Sequence, residues 1–243
     1  MVRLIEKKNE LDFLPADPFA ARITALFETY GSGQSFAYFW VQTLDGMPVA
    51  AISRVDGNMT LCCEENADYE ELAYFINAAG YDSLTCNVSD MQKLGFVHKK
   101  ESFIVEYTGG EEPSEIKAVC ECDKRKIYDL LCECGFELGD YHAFLTDVCA
   151  RLNKGTASFS AIVENGEPEA CAFALFEGDK SVLLGAVATK ESARGKGFAS
   201  ALVANLAKEK SCKNVFLFCR NDRLAEVYGK IGFKTVGRWA VSD

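Results

Sequence analysis

The sequence predicts an α/β (α+β) protein of two tandem halves, each a mixed, mostly antiparallel sheet flanked by helices. Short alternating apolar segments joined by Gly-containing turns occur in both halves, which is typical of antiparallel hairpins. Apolar residues repeating at three- and four-residue spacing predict the helices. With 243 residues, 49% of them hydrophobic, the chain can bury the core of one large or two moderate domains.

An internal repeat decides between one domain and two. Residues 46–50 (Gly-Met-Pro-Val-Ala) align with residues 166–170 (Gly-Glu-Pro-Glu-Ala) at an offset of 120. Later, Lys93-Leu94-Gly95-Phe96 aligns with Lys230-Ile231-Gly232-Phe233. Gly, Pro and charged residues cluster at 107–114, as expected of a boundary. We therefore predict domains at 1–109 and 110–243.

Each half is expected to open with a short strand and a helix that ends at a glycine. These segments are 2–5 and 18–30 before Gly31, and 116–120 and 124–134 before Gly135.

A glycine-rich turn in the second half predicts a phosphate-binding loop. The apolar run 182–187 indicates a buried strand, and Phe198, Leu202 and Leu206 form one face of a helix. Gly195 and Gly197 lie between the two elements. Glycine permits close approach of backbone to ligand, and the free N–H groups of a first helical turn attract an anion.

Two well-known phosphate loops fit poorly. A Walker loop requires Ser or Thr after its lysine, but Gly197 follows Lys196. A dinucleotide-binding loop requires an acidic residue some 20 positions further on, and the next strand ends instead in Cys219-Arg220. The spacing that does fit a phosphate-binding loop is Arg-x-x-Gly-x-Ala, at residues 194–199.

A second motif follows. The strand-like run 215–219 is followed by Asn221, by Tyr228 seven residues later, and by Gly232-Phe233. Together the two motifs resemble those of the GNAT acetyltransferase superfamily. The resemblance covers roughly residues 114–240 and is most specific at 184–233. One departure is Leu224, where the family usually has alanine.

The resemblance implies acetyl-CoA as the acyl-donor cosubstrate, bound by the second half. It assigns the pantetheine arm to the backbone of Val187, Ala188 and Thr189. It assigns the pyrophosphate to the loop of Arg194, Gly195, Lys196, Gly197, Phe198, Ala199 and Ser200. Asn221 would contact the same arm, or else would serve only as a helix cap. Tyr228 would protonate the departing thiolate, or else would only pack in the core.

The first half lacks the loop. From Leu61 to Asn87 is 26 residues, whereas the corresponding distance from Val182 to Asn221 is 39. Residues 62–69 contain three carboxylates and neither glycine nor a basic residue, which would repel a pyrophosphate. We interpret this half as a degenerate copy kept for packing and for the shape of the substrate site.

No general base is evident, because residues 181–189 contain no carboxylate. Glu177, Glu164, Asp140 and His142 are candidates, each with an ordinary surface role as the alternative. A chain of water molecules is another alternative.

Composition limits the partners. A net charge of −10 argues against nucleic acid and mildly favours a cationic substrate. Neither a signal peptide nor a membrane span is expected. Eleven cysteines, an odd number, fit a reducing compartment, so we expect a cytoplasmic protein, monomeric or homodimeric. The pairs Cys120/Cys122 and Cys132/Cys134 are spaced too closely for a usual zinc site, and no metal is expected.

These observations predict an acyl-CoA-dependent N-acyltransferase. The expected reaction is direct acetyl transfer in a ternary complex, from acetyl-CoA to a primary amine of a small molecule or peptide. Two alternatives remain. One is a non-catalytic acyl-CoA-binding sensor or interaction module, and the other is an aminoacyl- or peptidyl-transferring tandem enzyme that needs no CoA.

Overall fold

The computed structural model describes residues 1–110, 116, 118–119 and 121–243. The first half contains β1 (Val2–Leu4), α1 (Pro18–Tyr30), β2 (Ala37–Leu44), β3 (Met47–Val55), β4 (Asn58–Cys63), α2 (Tyr69–Ala79), β5 (Ser83–Asn87), α3 (Val88–Lys93) and β6 (Lys100–Tyr107). The second half contains α4 (Lys124–Glu133), α5 (Tyr141–Lys154), β7 (Ser158–Glu164), β8 (Glu167–Glu177), β9 (Ser181–Thr189), α6 (Phe198–Glu209), β10 (Asn214–Phe218), α7 (Asp222–Gly229) and β11 (Phe233–Ser242).

The strands of both halves join in one mixed sheet with the order β1-β2-β3-β4-β5-β11-β6-β10-β9-β8-β7. Within the described ranges, β4–β5 and β9–β10 are the parallel pairs, and the other neighbours are antiparallel. The predicted fold class, two mostly antiparallel sheets flanked by helices, is confirmed. The two sheets are continuous with each other.

The hairpins of the two halves match in detail. In β2–β3 the register shifts between Gln42 and Thr43, and in β7–β8 it shifts between Ile162 and Val163, again 120 residues apart. Both hairpins turn on a residue pair with positive φ, Asp45-Gly46 and Asn165-Gly166. Such pairs suit the tight turns whose twist matches that of the strands. The internal repeat of the sequence is therefore also present in the strand register of the two hairpins.

The last strands of the two halves are exchanged. Strand β6 of the first half pairs with β10 of the second, with Phe218 opposite Ile104. Strand β11 pairs with β5 of the first half, with Trp239 opposite Asn87. The two exchanged strands also pair with each other. The boundary near residue 109 stays a prediction, and the strands on either side of it cross between the halves.

Helix α1 of the first half packs onto strands of the second half. A Cβ on Gly178 would clash with the Thr24 hydroxyl oxygen, so the β8–β9 turn approaches the helix closely. The Ser181 hydroxyl donates to the Asp17 carbonyl oxygen over 2.8 Å, and the Phe19 ring lies 5.4 Å from that of Phe218. This packing brings α1 to the face of the sheet where β9 and β10 meet.

The predicted helices at the start of each half are present. Helix α1 has the predicted bounds and is capped by Asp17, and α4 ends at Glu133 with Cys134 as its C-cap. The predicted strand 116–120 falls partly outside the described residues, and Val119 forms a single bridge with Ala161. Among the described helices, none has the length and apolar character that crossing a bilayer requires.

Candidate functional site

A cleft opens where β9 and β10 diverge. The two strands pair in parallel from Ser181–Asn214 to Leu184–Leu217, and their recorded pairing stops there. Beyond Leu184, the pairing of β9 with β8 shifts register between Gly185 and Ala188, and Ala186 takes a φ of 46°. The divergence leaves a cleft of about 500 Å³.

The cleft is lined by parts of both halves. Its main lining comes from β9, β10 and α7, with one helix residue, Arg22, from the first half. The lining residues are Arg22, Cys134, Phe136, Leu175, Phe176, Leu183, Leu184, Gly185, Ala186, Val187, Ala188, Thr189, Arg194, Ala199, Leu217, Phe218, Arg220, Leu224 and Tyr228.

The glycine-rich turn leaves the start of α6 open. Gly195 and Gly197 have φ values of 82° and 80°, a conformation that disfavours side chains. A Cβ at either position would meet nothing within 4 Å, so the backbone conformation, and not crowding, requires glycine. Gly197 is the N-cap, and no side chain caps the helix. The N–H groups of the first turn are therefore available to an anion, and the helix dipole attracts it.

Two basic side chains, Arg194 and Lys196, lie beside the N-terminus of α6. Arg194 donates from Nε to the Thr189 carbonyl oxygen over 3.4 Å, which holds its side chain at the end of β9. The Lys196 ammonium lies 5.4 Å from the centre of the Phe198 ring and 3.8 Å from a carboxylate oxygen of Glu164. Both basic residues are exposed. The donors and charges fit a pyrophosphate group.

Tyr228 forms part of the cleft wall. The residue is only 6% exposed, and its ring centre lies 6.0 Å from that of Phe233. No hydrogen bond joins its hydroxyl to a described residue, although the residue reaches the cleft surface. Burial, and to a lesser degree the neighbouring Cys219, raise the pKa of Tyr228 to about 12. The phenol is therefore a hydrogen-bond donor throughout the neutral range.

Asn221 is the N-cap of α7. Its side-chain oxygen accepts from the Leu224 N–H over 3.0 Å. Asn221 does not belong to the cleft lining. The helix-cap role is thus present, and contact with a pantetheine arm stays a prediction.

Comparison with known proteins agrees with this geometry. Residues 155–235 match the family model described as an acetyltransferase (GNAT) domain, a segment that contains β9, the glycine turn, β10 and α7. This segment of the chain is therefore similar to a GNAT domain. The match lies within the second half, where the resemblance was most specific.

Solved structures share the fold over the whole chain. A GNAT-family acetyltransferase from Colwellia psychrerythraea superposes with a TM-score of 0.59 at 14% identity, covering 99% of this chain and 98% of that one. A tandem GNAT protein from the clavulanic acid biosynthesis pathway gives 0.60 at 12%, covering 99% and 97%. A GCN5-related N-acetyltransferase from Sphaerobacter thermophilus gives 0.57 at 15%, covering 99% and 94%. No curated protein sequence matches the chain.

The first copy of the GNAT fold offers no equivalent anion site. Helix α2 occupies the place of α6, and its N-cap Asp68 accepts from the Glu71 N–H over 3.0 Å. Glu70 and Glu71 add two carboxylates to its first turn. Negative charge thus already occupies the end of the helix that would hold a phosphate.

The predicted cofactor residues of the second half lie in the cleft lining and in the turn beside it. Val187, Ala188, Thr189, Arg194 and Ala199 line the cleft. Gly195, Lys196, Gly197, Phe198 and Ser200 complete the adjoining turn and the start of α6. Their roles in binding stay predictions.

The four candidate bases lie outside the cleft lining. The Glu177 carboxylate accepts from the Ser158 hydroxyl over 2.5 Å and pairs with Lys210 at 3.1 Å. Glu164 faces Lys196, Asp140 caps α5, and His142 is exposed. Among the described residues that line the cleft there is neither a carboxylate nor a histidine.

The cysteine pairs do not form a described metal site. Cys120 lies outside the described residues, and the described part of the chain holds no cluster of three or more metal-ligating groups. The Cys134 thiol donates to the Thr189 carbonyl oxygen over 3.4 Å, which places it against the cleft.

Sequence reasoning missed two arginines of the cleft. Arg220 follows β10, and its guanidinium lies 5.2 Å from the Phe136 ring. Arg22 lies in α1, in the otherwise apolar run Phe19-Ala20-Ala21-Arg22-Ile23. A single arginine in such a run is a signal, but its place in the cleft depends on how α1 packs on the distant second half.

Proposed function

We propose that this protein is an acyl-CoA-dependent N-acyltransferase that transfers acetyl from acetyl-CoA to a primary amine in a ternary complex. One observation carries the proposal: an uncapped, glycine-started helix with two adjoining cations stands at the end of a cleft between diverging strands. The GNAT domain and the shared fold support acyl transfer in general.

Each end of the cleft has a distinct task in this proposal. The first-turn N–H groups of α6 bind the pyrophosphate, with Arg194 and Lys196 adding charge. The backbone of residues 187–189, at the edge that β10 leaves open, pairs with the pantetheine arm. Acetyl-CoA supplies an activated acyl group as its thioester.

Tyr228 acts at the sulfur. The acceptor nitrogen attacks the carbonyl carbon, the C–S bond breaks, and the thiolate takes up a proton. The Tyr228 hydroxyl, free of other described partners, donates a hydrogen bond to that sulfur as charge develops on it. Because its pKa is about 12, stabilisation of the thiolate by this bond is a larger part of its role than full proton release.

The acceptor amine loses its proton to solvent in this proposal. The described cleft lining offers no carboxylate or histidine to take it. The cleft is open, so water reaches the reacting nitrogen. We further infer a cytoplasmic enzyme whose partners are acetyl-CoA and an amine, with neither nucleic acid nor membrane.

A direct assay tests the proposal. The purified protein is first examined by mass spectrometry for bound CoA and is then incubated with acetyl-CoA and a panel of primary amines, with free thiol as the readout. Amine-dependent thiol release supports acyl transfer. Tight acetyl-CoA binding without turnover on any amine supports the sensor instead, which the missing carboxylate in the described lining favours.

A further inference from the structure

The first half places one charged side chain in the cleft of the second half. Arg22 projects from α1, whose neighbouring residues Ala21 and Ile23 are buried in the core. Its guanidinium lies 5.4 Å from the centre of the Phe176 ring. Its partly buried position over this ring holds the side chain at the cleft wall.

Arg22 has no direct ionic partner in the described part of the chain, and Asp147, whose charge acts on it, is paired with Arg151. The Arg22 Nε is buried without a hydrogen bond, and no described carboxylate forms an ion pair with it. Arg151 contacts the same Phe176 ring at 5.3 Å, but Arg151 is paired with Asp147. Burial, followed by the charge of Arg151, lowers the pKa of Arg22 to about 10, and the charge of Asp147 opposes this shift. One positive charge is therefore left uncompensated and poorly hydrated beside the cleft.

Arg22 is far from the phosphate loop. Phe176 pairs with Leu183 in the register of β8 and β9, whereas Arg194 follows Thr189 at the other end of β9. Six residues of extended strand span roughly 20 Å. A CoA pyrophosphate held at Gly197 thus leaves Arg22 free for the other substrate.

We propose that Arg22 binds a carboxylate on the acyl acceptor, so that the acceptor is an amine that also carries a carboxylate, as an amino acid does. The inference rests on the proposed function, because it concerns the acceptor of the same reaction. An unpaired guanidinium offers two parallel N–H donors that match a carboxylate in charge and shape.

The charge at this site favours a carboxylate over a phosphate. Arg22, Arg151 and Asp147 together carry one net positive charge, which a single carboxylate neutralises. A phosphate monoester, with nearly two negative charges at neutral pH, would remain undercompensated there.

The test compares matched acceptors and three variants of the full chain. Each amino acid is assayed with acetyl-CoA beside its carboxamide, which keeps the amine and removes the negative charge. Arg22→Gln removes the guanidinium and Arg22→Lys keeps the charge. Arg54→Gln is the control, because the Arg54 Nε is also buried without a partner but the residue does not line the cleft.

Wild-type protein is expected to prefer the acid over its carboxamide by about 10- to 100-fold in kcat/KM. Arg22→Gln should remove this preference through KM of the acid, with unchanged acetyl-CoA affinity, which also reports a folded second half. Arg22→Lys should restore part of the preference, and Arg54→Gln should retain all of it.

Three outcomes overturn the inference. One is a wild-type protein that turns over the carboxamides as well as the acids, or a preference for the acid that Arg22→Gln leaves unchanged; either result would refute the carboxylate and leave the acyltransferase standing. Another is an Arg22 effect seen only with succinyl-CoA, which would assign the carboxylate to the acyl donor. The third comes from calorimetry, in which N-acetyl amino acids, the expected products, and their amides are titrated into the protein with CoA present. Equal affinities for the acids and the amides would refute the inference even if no turnover is found.

Discussion

Tyr228 is the residue on which the proposed chemistry depends. Its ring is fixed against Phe233, while its hydroxyl has no described hydrogen-bond partner at the cleft surface. A tyrosine kept only for packing is usually satisfied by a partner when buried. The free hydroxyl therefore supports a role toward a bound ligand.

Replacing Tyr228 with phenylalanine tests that role. The change preserves the apolar contacts and removes only the donor, so kcat should fall by about 10²- to 10⁴-fold with little change in acetyl-CoA affinity. Tyr107→Phe is the matched control, since the Tyr107 ring also packs on Phe233, at 5.3 Å, but does not line the cleft. If the Tyr228→Phe variant turns over normally, Tyr228 has only a packing role in the core.

The pH dependence follows from the same side chain. Because the pKa of Tyr228 is raised to about 12, the hydroxyl stays protonated and can donate a hydrogen bond at any pH well below that value. We expect kcat/KM to rise toward about pH 10 as the acceptor amine, with an ordinary pKa of about 10, loses its proton. A fall in kcat between about pH 8 and pH 10 that disappears in Tyr228→Phe would show that Tyr228 ionises in that range.

At the scale of elements, the exchanged strands bind the two halves together. Strand β6 lies between β10 and β11, so the sheet of the second half is continuous only through a strand of the first. Helix α1 adds contacts with β8 and β9. The degenerate copy thus supplies part of the frame around the cleft.

A fragment of residues 110–243 tests this dependence. Without β6, the edges of β10 and β11 are unpaired, and exposed strand edges promote association. We expect the fragment to be insoluble or to associate, as size-exclusion chromatography would reveal. Co-expression with residues 1–109 should restore a soluble complex, because each fragment carries the strand that the other needs. A monomeric, folded and fully active fragment would contradict the account.

Several elements were predictable because local sequence determines them. The Asp45-Gly46 and Asn165-Gly166 turns specify the two hairpins, and Asp17 with Gly31 marks the ends of α1. The strand exchange was not predictable, since the residues of β6 fit any neighbouring strand with suitable pairing. The position of Arg22 also depends on contacts across more than 150 residues of chain, which no local pattern encodes.

At the scale of the whole molecule, the two copies of the fold differ in the helix start that could bind an anion. Among the described helices, α6 alone begins at an uncapped glycine beside two cations, whereas the corresponding helix α2 begins among carboxylates. One chain should therefore hold one acetyl-CoA, in the second half. The first half contributes the strand β6 and the helix α1, and in our proposal it also selects the acceptor through Arg22.

A calorimetric titration with acetyl-CoA tests this claim most directly, on the wild type and on Gly197→Val. The wild type should bind one molecule per chain. The variant should lose binding, because a β-branched residue is strained at a φ of 80° and obstructs the pyrophosphate. Gly46→Val, at the same φ of 80° in the first half, controls for strain alone and should bind normally if it stays folded. Two equivalent sites in the wild type, or unchanged affinity in Gly197→Val, would contradict the account.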